Sequence, residues 1–135
     1  MSGETDLSKL VRSLQPRLNE GKYIFAKIDN KRQIPTQDII GFFREKEGVT
    51  LILEKEKADA MHITYGFIAS WISLQVHSSL EAVGLTAIFA TELAKHGISC
   101  NVVAGFHHDH IFVNHNVGEK AIIILTDLSK NYTDN

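Results

Sequence analysis

Apolar positions along this chain switch between two periods, and the switches divide it into short elements. After Thr5-Asp6, the residues Leu7, Leu10, Val11 and Leu14 follow i, i+3, i+4, i+7 spacing, which predicts a short amphipathic helix capped by one of those two polar residues. Pro16 stops it and Gly21 gives a turn. KYIFAKI then alternates Tyr23, Phe25 and Lys27 against Ile24, Ala26 and Ile28, a strand with two largely apolar faces. Residues 29 to 37, containing Asp29-Asn30-Lys31, Pro35 and Gln37, have no helical period and read as a loop. IIGFFR and VTLILE predict a hairpin around the charged bend Glu45-Lys46-Glu47-Gly48, and KEKADAM can form about two helical turns.

The second half follows a similar order. FIASWISLQV predicts a strand, GLTAIFATELAKH a helix, ISCNVVAGF and HIFVN a hairpin, and GEKAIIILTDL a helix whose Ala121, Ile124, Leu125 and Leu128 fall on one stripe. Both halves therefore read strand, connection, strand, bend, strand, helix, with the loop through Pro35 standing where the second half has a helix. This order divides the chain into modules at 1–65 and 66–135. In the helix from Gly84 to His96, an arc of Leu85, Phe89, Leu93, Thr86, Ala90 and Ala94 is expected to face the sheet. Ile88 lies off that arc, either singly exposed or touching a second helix or subunit. Gly97 is the expected C-terminal stop.

Composition narrows the class. The 135 residues are 44% hydrophobic, enough for one ordinary core or two small ones on a shared sheet. A formal charge of −2, with no basic run interleaved with aromatics, argues against a nucleic-acid partner. No apolar run reaches the roughly 20 residues that cross a bilayer, and the first 20 residues carry charges throughout, so no membrane partner is expected and a cytoplasmic location is. The single Cys100 excludes an intrachain disulfide and a cysteine-based zinc site, and it reads as a buried, inert thiol.

Polar residues gather at two bends. The loop His77-Ser78-Ser79-Leu80-Glu81-Ala82-Val83-Gly84 precedes a helix, where unpaired backbone N–H groups and partial positive charge suit a carboxylate, and Gly84 would allow close approach. The plainer use of Ser78, Ser79 or Glu81 is to cap that helix. At the second bend, His107-His108-Asp109-His110, the two histidines His108 and His110 share a strand face at metal-chelating spacing, with His62, His77 or His115 as further ligands to be found elsewhere. The plainer reading is a polar hairpin bend. Alternatively Asp109 binds an ammonium group, so that an amino acid would satisfy the helix start and the bend together. His77 beside Ser78 has no G-x-S-x-G elbow, and no phosphate loop occurs, so no catalytic residue is assigned and no enzyme is expected.

VHSSLEAVGLTAIFATELAKHGISCNVVAGFHHDHIFV resembles the core of a family of small bacterial ACT-domain proteins built from two ACT-like modules in tandem. PRLNEGKYIFAKI, IGFFREKEGVTLIL and the ADAM segment resemble its first-module segments, and the second module is more distantly similar to those of CASTOR arginine sensors and aspartate kinase regulatory regions. The resemblance implies an α+β ferredoxin-like sandwich, βαββαβ in its standard form, with helices on one face of an antiparallel sheet. It also implies small-molecule binding, typically of amino acids where paired modules meet, through the loop before the first helix. Carried onto this chain, the ligand-binding candidates are Ser78, Ser79, Leu80, Glu81 and Gly84, with Asn101, His108 and Asp109 nearby. The first module lacks its first helix, so it would serve as a partner without a site of its own. A regulatory or sensing protein follows, a homodimer binding a small molecule and needing no cofactor; the alternative is a metal-binding protein or metal-dependent enzyme centred on His108, Asp109 and His110.

Overall fold

The computed structural model describes residues 6–75 and 84–133. Helix α1 (Leu7–Arg12) is capped by Asp6, whose side chain accepts from the backbone N–H of Lys9 at 3.2 Å. Strand β1 (Gln15–Leu18) follows, then β2 (Tyr23–Ile28), the hairpin β3 (Ile39–Glu45) and β4 (Gly48–Glu54), helix α2 (Lys55–Ala60) and the long β5 (Tyr65–Gln75). From Leu85 onward come α3 (Leu85–Lys95), the hairpin β6 (Cys100–Ala104) and β7 (Asp109–Asn114), and α4 (Gly118–Asn131). Among the described strands, β1 alone is unforeseen in the sequence pattern. It is four residues long and contains Pro16, which pairs with Leu74 in the ladder although proline donates no backbone hydrogen bond.

The seven strands among the described residues join one antiparallel sheet in the order β3-β4-β2-β5-β7-β6, with β1 paired to β5. β1 and β2 lie end to end along the same edge of β5: Leu18 pairs with Ile72, and Tyr23 with Ala69. Two groups of four strands result, β3-β4-β2-β5 and β6-β7-β5-β1, each in the order second, third, first, fourth. The start of β5 is the fourth strand of the first group, and its end is the first strand of the second. β1 supplies the fourth strand of the second group from the far end of the sequence. Tyr65, the last residue of the expected module 1–65, opens this shared strand.

Strand alternation explains the two faces. On one, Ile24, Ala26, Leu51 and Leu53 pack with Ala58 of α2 and Ile63. Further along the same face, Ile72, Leu74, Ile111 and Val113 meet Leu85, Phe89 and Leu93 of α3, Ala121, Ile124 and Leu125 of α4, and Leu10, Val11 and Leu14. The N-terminal segment thus belongs to the core of the second half. Among the described residues no helix covers the opposite face, where aromatic side chains pack on one another: Tyr23 and Trp71 meet edge to face at 5.2 Å, Phe25 and Phe112 likewise at 5.2 Å.

Helix α3 is rotated from the expected arc. Leu85, Phe89 and Leu93 are buried and Ile88 packs against the same core, while Thr86 and Ala94 are exposed. The cause is α4, which flanks α3, so the helix must bury a side directed at both the sheet and its neighbour. Ile88 therefore meets a second helix of its own chain. Gly97 ends α3 at φ 74°, with the N–H of Ile98 bonded to the carbonyl of Leu93 and that of Gly97 to Ala94, while Ile98 and Leu93 share the core. Cys100 is half-buried, not fully so, and burial pushes its thiol pKa up, away from the reactive thiolate.

Candidate ligand-binding site

β5 ends at Gln75, and Gly84 is the N-cap of α3. Ser78, Ser79, Leu80 and Glu81 lie between those points, outside the described residues, as does His77. Two described neighbours frame the segment. Leu74 pairs with Asp109 in the β5–β7 ladder, which places Asp109 next to Gln75, the last residue of β5. Gly84 adopts φ 96°, and a Cβ there would stand 3.3 Å from the Cδ2 of Leu7. Its backbone is thus both left-handed and pressed against the N-terminal helix, which only glycine tolerates comfortably.

Asp109 shares the helix-bearing face with Ile111 and Val113, and burial raises its carboxyl pKa while His110 opposes that shift. His110 points to the other face. There the Nε1 of Trp71 donates to His110 Nδ1 at 3.1 Å, Ser73 Oγ stands 3.2 Å from the same nitrogen, and Asn19 Nδ2 donates to Ser73 Oγ at 3.0 Å. An indole nitrogen can only donate, so Nδ1 is the unprotonated acceptor and neutral His110 carries its proton on Nε2. Burial, then His108, lowers the His110 pKa, against a smaller upward pull from Asp109. With Nδ1 occupied and Nε2 protonated, the neutral ring offers no lone pair to a metal. Among the described residues, no group of three or more His, Cys, Asp or Glu could hold a metal ion.

His108 is exposed in the bend, its ring centroid 6.4 Å from that of His110. The bend is closed by the N–H of Gly105 donating to the carbonyl of His108 at 2.9 Å. Asn101 stands elsewhere. It pairs with Phe112, three ladder positions from the Ala104–Asp109 pair and roughly 10 Å along the strand. It also faces the helix-free side, opposite to Asp109. The candidates thus separate: Gly84 caps α3, Asp109 stands beside the end of β5, His108 sits at the bend, and Asn101 belongs to another corner. The Asn19–Ser73–His110–Trp71 chain escaped sequence reading because its members come from two strands and a turn far apart in the chain; only the alternation of Trp71 and Ser73 on one face hinted at it.

No helix among the described residues is long and apolar enough to cross a membrane. An ACT domain model matches residues 2–70, and a second ACT domain model matches residues 67–127. No curated protein matches the chain. Among solved structures, a Vibrio cholerae protein of unknown function, described as a possible transport protein, is 43% identical over 93% of this chain and 97% of its own, with a TM-score of 0.80. An Agrobacterium tumefaciens protein has a similar fold at 20% identity, with 86% of this chain and 89% of its own covered and a TM-score of 0.68. The alpha and beta subunits of aspartokinase share the fold at 11% identity, 86% and 98% coverage and a TM-score of 0.58. Two consecutive matches spanning the folded chain, and a shared sheet in which each half has the same strand order, give the conclusion that this chain belongs to the ACT domain family, regulatory modules that are not catalysts, with two such domains in tandem.

Proposed function

We propose that this protein is a regulatory sensor that binds a small molecule, an amino acid, at the loop between β5 and α3. Tandem ACT domains support the small-molecule role. The observation that carries the amino acid reading is the Leu74–Asp109 pairing, which sets a partly buried carboxylate beside the departing loop. A carboxylate whose charge is disfavoured by burial gains more from an arriving ammonium group than an exposed one would. The N-terminus of α3, an eleven-residue helix, would receive the ligand's own carboxylate, with Ser78, Ser79, Leu80, Glu81 and Gly84 lining the approach and His108 at its rim. In this reading the cellular site is the cytoplasm, and two copies pair so that modules of the 66–135 half meet across the dimer.

Thermal shift against the twenty amino acids tests this proposal. At least one is expected to raise the melting temperature, and Ser79→Ala and Asp109→Ala to abolish the rise while keeping the fold by circular dichroism. No rise with any amino acid would remove the reading. Sedimentation of a single monomer mass at high concentration would remove the dimer.

A further inference from the structure

We infer that a second binding site, for a neutral hydroxylated molecule such as a sugar or polyol, lies at the corner of the helix-free face where β5 begins and β7 ends. The register assembles it. Asn114 pairs with Ala69 at the end of the ladder, Phe67 lies two residues earlier on β5, Asn116 follows in the turn after β7, and Asn101, which pairs with Phe112, lies diagonally from Asn114. Phe67, Ser99, Asn101, Asn114 and Asn116 line a cavity of about 410 Å³ there. That volume lies within the roughly 300–1,000 Å³ of small-molecule clefts.

The lining decides the ligand class. None of the residues around this cavity is charged, which disfavours an ion or a zwitterion as occupant. Three carboxamides and a hydroxyl instead present donors and acceptors side by side, the complement of neighbouring hydroxyl groups that each donate and accept. Asn114 Oδ1 accepts from the backbone N–H of Asn116 at 2.9 Å, which fixes that carboxamide and directs its NH₂ as donor. Phe67 adds an apolar ring, held by a tilted contact with Phe25 at 5.7 Å, against which the C–H face of a sugar can rest. The cavity lies at the opposite end of β7 from Asp109, because Asn114 and Asp109 are the two ends of that strand.

The test is a ¹H–¹⁵N NMR titration of the full chain with glucose, N-acetylglucosamine and maltose. The expected result is saturable shifts in residues 97–101 and 114–117 with at least one of the three. Asn101→Ala should weaken that binding by about tenfold, the loss of one or two hydrogen bonds. Asn101→Asp keeps the shape, adds a charge, and should weaken it at least as much. Asp109→Ala should leave it unchanged, which separates this site from the proposed amino acid site. Absence of saturable shifts at this corner with all three sugars overturns the inference, as does binding that survives both Asn101 variants.

Discussion

The indole of Trp71 donates to Nδ1 of His110 across 3.1 Å, from one central strand to its neighbour, and that single bond fixes which nitrogen of the histidine carries its proton. It ties the helix-free face to the bend, because His110 follows directly on His108-Asp109. Trp71 also stacks on Phe112 with ring centroids 6.0 Å apart, so packing and hydrogen bonding hold the indole together.

Trp71→Phe keeps much of the ring packing and removes the donor. The neutral imidazole loses a donor that favours its unprotonated Nδ1, so the His110 pKa should rise, while burial and His108 continue to hold it low, and stability should fall by about 1–3 kcal/mol. NMR titration of the His110 ring protons and urea denaturation measure the two effects; an unmoved pKa would show that the bond does not hold the neutral form.

Stability should decline with acid through this same residue. Its folded pKa lies below the unfolded value, so its contribution is present above pH 6.5 and is lost as pH falls through 6.5 toward the folded pKa. Wild type and His110→Gln, melted between pH 7.5 and 5, should differ in slope, with the variant flatter.

Asp109 has the opposite sign. Its folded pKa is raised by burial, so its contribution is full below 3.8 and is lost as pH rises through the folded pKa. Asp109→Asn should therefore raise the melting temperature at pH 7 and lose that advantage near pH 3. A variant that is less stable at pH 7 would mean that the carboxylate has a favourable partner.

Two left-handed glycines should respond differently to alanine. At Gly97 a Cβ meets nothing within 4 Å, so only the backbone conformation opposes it, at about 1 kcal/mol. At Gly84 the same conformational cost adds to the 3.3 Å approach of Leu7, so about 2 kcal/mol or more is expected. Leu7→Ala in the Gly84→Ala background should recover the steric part alone, measured by urea denaturation.

A fragment of residues 19–135 should not fold natively. It lacks β1, which closes the edge of β5, and the buried Leu10, Val11 and Leu14 of the second core. In the whole chain Leu10→Ala alone should cost about 2–5 kcal/mol. Near-UV circular dichroism of Trp71 reports the fragment's packing; a native-like signal would show the second half to be self-sufficient.

The sequence determined the local elements. Periods of 3.6 and 2 located α1, α3, α4 and every described strand but β1, helix propensity located α2, the polar bends located the turns, and runs such as VHSSLEAVGLTAIF carried the family resemblance. β1 was hidden because four residues around a proline have too little alternation to read, and its partner lies more than fifty residues away. Tertiary structure alone decided that this strand completes the second half and that β5 serves both halves, since pairing depends on which edges remain open when the sheet assembles. It also turned Ile88 toward α4, placed His110 and Asp109 on opposite faces, and parted Asn101 from the other candidates. Alternation along β7 separates the neighbours His110 and Asp109, however close they stand in the chain, and the length of that strand keeps Asn101 away from the bend.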